Sequence, residues 1–136
     1  MALKVFISHA RKDEELALAI RDRLVQDQHK VFVANADVLP GQDWAREISE
    51  ALSRSQAMVV LLSPEAVESR NVLHEISFAL GSPRYEGRVL PVVVRPTGNI
   101  PWFLQTIMHL DVSGSPWPVA ADDVATALRR MGRKAS

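Results

Sequence analysis

Ala57-Met58-Val59-Val60-Leu61-Leu62 is an unbroken apolar run with no polar position to mark a solvent face. A strand exposed on one side alternates apolar and polar residues. A short, uniformly apolar run suits a strand covered on both faces, as in a parallel sheet packed between helices. Ser63-Pro64 closes the run with a capping hydroxyl and then a proline, a pair that starts helices. The run therefore predicts a central strand that feeds a helix.

The flanking sequence repeats this alternation. Upstream, Lys4-Val5-Phe6-Ile7-Ser8 reads as a first strand. Asp13 is placed to cap the next helix, with Glu14 and Glu15 at its positive end and Leu16, Ile20 and Leu24 on one buried face. Val31-Phe32-Val33 is a second, short strand, and residues 35–41 carry the Asn, Asp, Pro and Gly of a loop. Asp43 is placed to cap a second helix with Trp44, Ile48 and Leu52 facing inward. Downstream, Ser69 is placed to cap a helix that buries Val72, Ile76, Ala79 and Leu80, and Gly81 is expected to end it in a left-handed turn. Residues 88–94 read as a fourth strand in which Pro91 marks a bulge or a nearby edge. Residues 106–112 are expected to form the last strand and 122–131 the final helix. Strands alternating with helices argue for an α/β fold: a flavodoxin-like three-layer sandwich with a five-stranded parallel sheet, order 2-1-3-4-5, and helices on both faces. In such sheets ligands bind beyond the carboxyl ends of the strands, where the strand order reverses. Here that crevice lies between the first and third strands, with residues 8–12, 35–42 and 63–75 at its mouth.

The bulk composition narrows the function. The chain has 136 residues, one domain's worth, and 16 basic residues balance 16 acidic ones. A nucleic-acid binder would carry a basic excess, so no direct nucleic-acid partner is expected. The absence of cysteine excludes thiolate catalysis and cysteine-held zinc and suits a reducing compartment. No apolar run is long enough to span a bilayer and the start is not signal-like, which predicts a cytoplasmic protein without membrane contact. Residues 132–136 read as a flexible basic tail after a domain spanning 1–131.

The crevice can be tested against known chemistries. A flavin or nucleotide phosphate cradle needs glycine, and the loop Ser8-His9-Ala10-Arg11-Lys12 has none. A magnesium-dependent phosphate receiver needs an acidic pair after the first strand and an aspartate after the third; Ser8-His9 and Ser63 stand there instead. His9, His29, His74 and His109 show no metal-ligand spacing, so no metal is expected. His74 projects from the polar side of its helix. Ser8 and His9 are adjacent in a strand and should point to opposite faces.

Several blocks, in order, resemble one family, the TIR domains. Val5-Phe6-Ile7-Ser8-His9 with Lys12-Asp13-Glu14 resembles the family's first strand and helix start. Asp37, Pro40-Gly41 and Trp44, then Ile48, Ala51-Leu52 and Ser55, are similar to its second loop (the BB loop) and second helix. Val59 to Pro64 resembles its third strand, and Ser69-Arg70-Asn71-Val72-Leu73-His74-Glu75-Ile76 the helix that carries its catalytic glutamate. Val89-Leu90-Pro91-Val92 is similar to its fourth strand. The style is closest to bacterial TIR proteins, whose enzymatic members cleave NAD to nicotinamide and ADP-ribose or a cyclic product, many of them in anti-phage defence. The resemblance implies NAD as substrate with no cofactor, Glu75 as the catalytic residue, and a loop that gates the site and mediates assembly with other TIR domains, through Val38, Leu39, Pro40 and Gly41. It also implies a fused or partner sensor domain. One departure stands out: the family often has tryptophan four residues before the glutamate, where this chain has Asn71.

The chemistry implied is consistent with a single carboxylate. Glycosidases usually need a second carboxyl group to protonate a leaving oxygen. Nicotinamide leaves as a neutral molecule from a cationic pyridinium, so what remains is to stabilise an oxocarbenium-like ribose. Glu75 follows Val72 by three positions and precedes Ile76 by one, at the flank of the buried stripe, where it can be partly desolvated. Ser8, His9, Arg11, Asp37, Trp44 and Asn71 are the candidate substrate contacts. Arg11 reads as a pyrophosphate contact or as surface charge, Asp37 as a ribose contact or a turn former, and Trp44 as a sheet-packing residue or a site residue. Two other functions fit the same fold: a non-catalytic adaptor that acts by assembly, and a nucleoside deoxyribosyltransferase-like enzyme.

Overall fold

The computed structural model describes residues 2–34, 40–107 and 109–135. Five strands, β1 (Lys4–Ser8), β2 (Lys30–Val33), β3 (Ala57–Leu62), β4 (Val89–Val93) and β5 (Leu110–Asp111), form one parallel sheet in the order β2-β1-β3-β4-β5. The expected order is thus observed. The reversal falls between β1 and β3, which pair from Val5↔Ala57 to Ser8↔Val60. Every residue of β3 is buried, and its alternation divides the core in two. Ala57, Val59 and Leu61 pack with α1 (Glu14–Gln26) and α5 (Trp117–Ala135). Met58, Val60 and Leu62 pack with α2 (Trp44–Arg54) and α3 (Arg70–Leu80). Apart from Ala57, each of these side chains contributes about 1.5–3 kcal/mol by leaving water, so this strand anchors both layers.

Two of the expected helix caps form as read. Asp43 accepts from the Arg46 amide and Ser69 from the Val72 amide, each satisfying an orphan donor of its first turn. Others differ. Asp13 sits at the N-terminus of α1, but its side chain makes no capping bond and turns inward instead. Ser63 accepts from the Ala66 amide and starts only a 3-10 turn, Ala66–Glu68. Gly81 ends α3 with φ −89°, not in the left-handed region. Trp44 and Leu80, expected inward, are 38% and 41% exposed.

The end of the chain departs most from the expectation. The stretch expected as one strand is divided: a short helix α4 (Trp102–Gln105) precedes it, and β5 keeps two residues. The last helix starts at Trp117, five residues earlier than read, because Pro118 fits a first helical turn where no amide donor is required. Its backbone continues to Ala135, through most of the segment read as a tail. Pro91 is accommodated by the short fifth strand. The even-numbered β4 neighbours Arg88 and Val94 bond to β3, whereas Val93 bonds to the β5 side, so the missing Pro91 donor also faces that side. β5 begins only level with Val92, one position beyond Pro91.

Candidate active site

At the carboxyl ends of β1 and β3 the chain leaves a cavity of about 440 Å³, lined by His9, Ala10, Arg11, Trp44, Ser69, Asn71 and Glu75. The lining comes from the turn after β1, the start of α2 and the first two turns of α3, which converge because the strand order reverses there. Five of the residues read from the sequence as site candidates, His9, Arg11, Trp44, Asn71 and Glu75, share this one wall. Ser8 lies beneath it. Asp37, Val38 and Leu39 fall outside the described residues. Pro40 and Gly41 are exposed, and Gly41 has φ +88°, a conformation that favours glycine.

Glu75 is the charged residue the fold treats most unusually. It belongs to the buried stripe of α3 with Val72, Ile76 and Ala79 rather than to its flank, and it is 4% exposed. The Ser8 hydroxyl donates to Glu75 Oε1 over 2.6 Å, the only hydrogen bond to this carboxyl among the described residues. Burial pushes the Glu75 carboxyl up to about 7, against the Ser8 bond, which favours the charged form. A carboxyl that is poised near neutrality on a cavity wall can be ionised by a cationic ligand.

Ser8 and His9 diverge as strand neighbours should. His9 is 2% exposed, with Nδ1 2.7 Å from the Ala10 carbonyl oxygen and Nε2 2.8 Å from that of Ala34. Arg11 and Asn71 are exposed at the rim. His74 is exposed, as its helix position implied. His29 is buried and accepts from the Leu3 amide, a structural role.

Beside the cavity lies a cluster that sequence reasoning missed. Asp13, 5% exposed, accepts from Ser63 Oγ at 2.7 Å and from the Arg95 guanidinium at 3.0 and 3.2 Å. Arg95 also donates to Glu65 at 2.6 Å, and Lys12 adds an ion pair to the same carboxylate at 3.4 Å. The cluster ties together the chain just beyond β1, β3 and β4. Its members are 50 and 82 residues apart, so only the strand order could have signalled it.

The doubly wound sheet and the cavity at its reversal point place the protein in the flavodoxin-like class of α/β domains. Within that class, the model of the TIR domain family matches residues 5–131, so the chain belongs to the TIR domain family. Among solved structures it is similar to the TIR domain of the Toll-related receptor TRR-2 from Hydra magnipapillata, with 24% identity over 93% of this chain and 98% of that one, TM-score 0.73. It is also similar to the TIR domains of the activated Roq1 resistosome, with 18% identity over 93% of this chain and 72% of that one, TM-score 0.57. A flavo-di-iron protein from Thermotoga maritima shares the fold at 15% identity, over 96% of this chain and 36% of that one, TM-score 0.61. At these identities the likeness concerns the fold. A comparison with curated proteins returned no match. Among the described residues, no helix is long and apolar enough to cross a membrane.

Proposed function

We propose that this TIR domain cleaves the nicotinamide–ribose bond of NAD, with Glu75 as the catalytic carboxylate. The observation that carries the reading is the burial of Glu75 on the wall of the reversal-point cavity, with one oxygen held by Ser8. The C1′–N bond breaks and its electron pair stays on the pyridine nitrogen, so nicotinamide leaves neutral. The positive charge passes to the ribose, where the Glu75 carboxylate, itself only 4% exposed, stabilises it. Water adding to C1′ gives ADP-ribose and a proton; a nucleophilic atom of the ADP-ribose itself gives a cyclic product. Arg11 at the rim is suited to the pyrophosphate, and Trp44 to an aromatic ring of the substrate.

The test is nicotinamide release from NAD by the wild type and by Glu75→Gln. Release should fall by about 100-fold or more, the scale set by losing one transition-state electrostatic partner. Undiminished release by a folded Glu75→Gln protein would refute the assignment.

One observation favours a second reading. The cavity wall offers Asn71 where many relatives offer tryptophan, so the substrate loses a stacking surface. On that reading the domain is an adaptor that signals by self-assembly alone. The two separate on a concentration series with Leu39→Asp as control. An enzyme activated by assembly gains turnover per domain as copies are crowded and loses that gain in the variant. An adaptor assembles and releases no nicotinamide at any concentration.

A further inference from the structure

The 3-10 turn Arg11–Asp13 carries three charged residues in a row, and two of them are engaged away from the cavity. Asp13 is buried, accepting from Ser63 Oγ at 2.7 Å and from the Arg95 guanidinium at 3.0 and 3.2 Å. Lys12 pairs with Glu65 at 3.4 Å, and Arg95 reaches the same carboxylate at 2.6 Å. These two cations and two carboxylates cancel. Arg11 is different: it lines the cavity, is exposed, and joins no ion pair among the described residues. A guanidinium so placed offers a planar fork of donors to a phosphate-type anion.

A three-residue 3-10 turn does little to fix its own place. It is closed by the Asp13 amide donating to the Ala10 carbonyl at 2.9 Å, in a helix type whose hydrogen bonds are poorly aligned. The Asp13 side chain fixes the turn against the sheet instead. One oxygen takes the Ser63 hydroxyl at the end of β3, and the other takes Arg95, two residues beyond β4. Arg95 is the cationic partner of this buried carboxylate. Through Glu65 it also holds the segment that runs on to Ser69, another lining residue of the cavity.

We propose that Arg95 is a positioning residue that, by gripping Asp13, holds the turn so that Arg11 meets the pyrophosphate of the substrate. Arg95 touches no substrate itself; it sets the preference for a pyrophosphate-bearing nucleotide through Arg11. The proposal rests on the reading of the cavity as an NAD site, and it places selectivity for the phosphate half of the molecule in a cluster outside the cavity wall.

The experiment compares the full chain with Arg95→Met, which keeps the stem and removes the guanidinium, and Arg95→Lys, which keeps a charge. ADP-ribose carries the pyrophosphate but no bond to cleave, and its binding is followed by NMR at the amides of Ala10 and Asn71. Its Kd should rise about tenfold in Arg95→Met, the scale of one hydrogen bond to a charged group, and recover in Arg95→Lys. Arg11→Ala should show the same loss, and the double variant no more than either alone, because both act on one contact. In NAD cleavage, KM should rise in Arg95→Met with kcat held, whereas cleavage of nicotinamide riboside, which has no pyrophosphate, should be unchanged. If Arg95→Met does not fold, Asp13→Asn carries the same test, since it keeps an acceptor for Ser63 and loses the charge that Arg95 grips. Losses that add in the double variant would overturn the proposal. So would wall amides that ADP-ribose leaves unmoved in the wild type. A wild type that binds ADP-ribose in this Arg95-dependent way but releases no nicotinamide would sink the cleavage reading alone.

Discussion

Replacing Glu75 by glutamine removes a titrating proton from a buried position while keeping the side chain's length and an oxygen that can accept from Ser8. The Glu75 carboxyl is raised from 4.5 to about 7 in the folded protein, with burial as the main cause. The native state therefore holds this proton more tightly than the unfolded chain does. Stability linked to it is fully present below about pH 4.5 and is lost as pH rises through about 7. At about 1.4 kcal/mol per pH unit, the whole loss is about 3 kcal/mol, of which about 2–3 kcal/mol falls between pH 5 and 8.5. Glutamine has no proton to lose. The stability difference between the two proteins should thus move in the variant's favour by that amount, or by about 10 °C in Tm for a domain of this size. Urea unfolding followed by circular dichroism at several pH values measures it, and subtracting the two curves cancels the other titrating groups. A difference that stays within about 0.5 kcal/mol from pH 5 to 8.5, against the expected drift, would refute the claim that the fold holds Glu75 out of water.

Three further outcomes are expected. In Ser8→Ala, loss of the hydroxyl that favours the ionised form moves the Glu75 titration to higher pH, so nicotinamide release falls at pH 7 and recovers in more alkaline buffer; an unmoved pH–rate profile would remove Ser8 from the site. In Asp13→Ala, the buried Ser63 hydroxyl and the Arg95 guanidinium lose their shared acceptor, at a cost of about 2–3 kcal/mol by denaturant unfolding; a loss below about 0.5 kcal/mol would show the cluster to be incidental. In Asn71→Trp, an added stacking surface worth about 1–3 kcal/mol should preserve or raise turnover, seen first as a lower KM; a folded variant with much weaker turnover would show that Asn71 makes a contact of its own.

What the sequence disclosed follows the strength of its periodic signals. The uniform run of β3 and the caps Asp43 and Ser69 were readable because each is a local rule satisfied within a few residues. Alternation of elements and right-handed crossovers left few strand orders, the chosen one put the crevice between β1 and β3, and the resemblance to TIR domains singled out Glu75 and Asn71 on its wall. The depth of Glu75 was underestimated: helical spacing puts it at the margin of the stripe, and only the packing of α3 against β1 draws it under cover beside Ser8. Asp13 was misread because capping is the local use of an aspartate, while its true partners come from the ends of two distant strands. The region after β4 was misread because a four-residue helix and a two-residue strand are too short to show a period.

The brevity of β5 bears on how copies of this domain can meet. A sheet normally invites growth at its margins, where an unpaired backbone can template another chain. Here one margin is two residues long, Leu110 and Asp111, too little backbone to recruit a stranger's strand. The other margin, β2, opens on the exposed charge of Lys30. Polymerisation by strand addition, with its near-permanent backbone ladders, is therefore discouraged at both ends of the sheet. Contacts between copies are left to side chains on helices and loops rather than to shared backbone ladders.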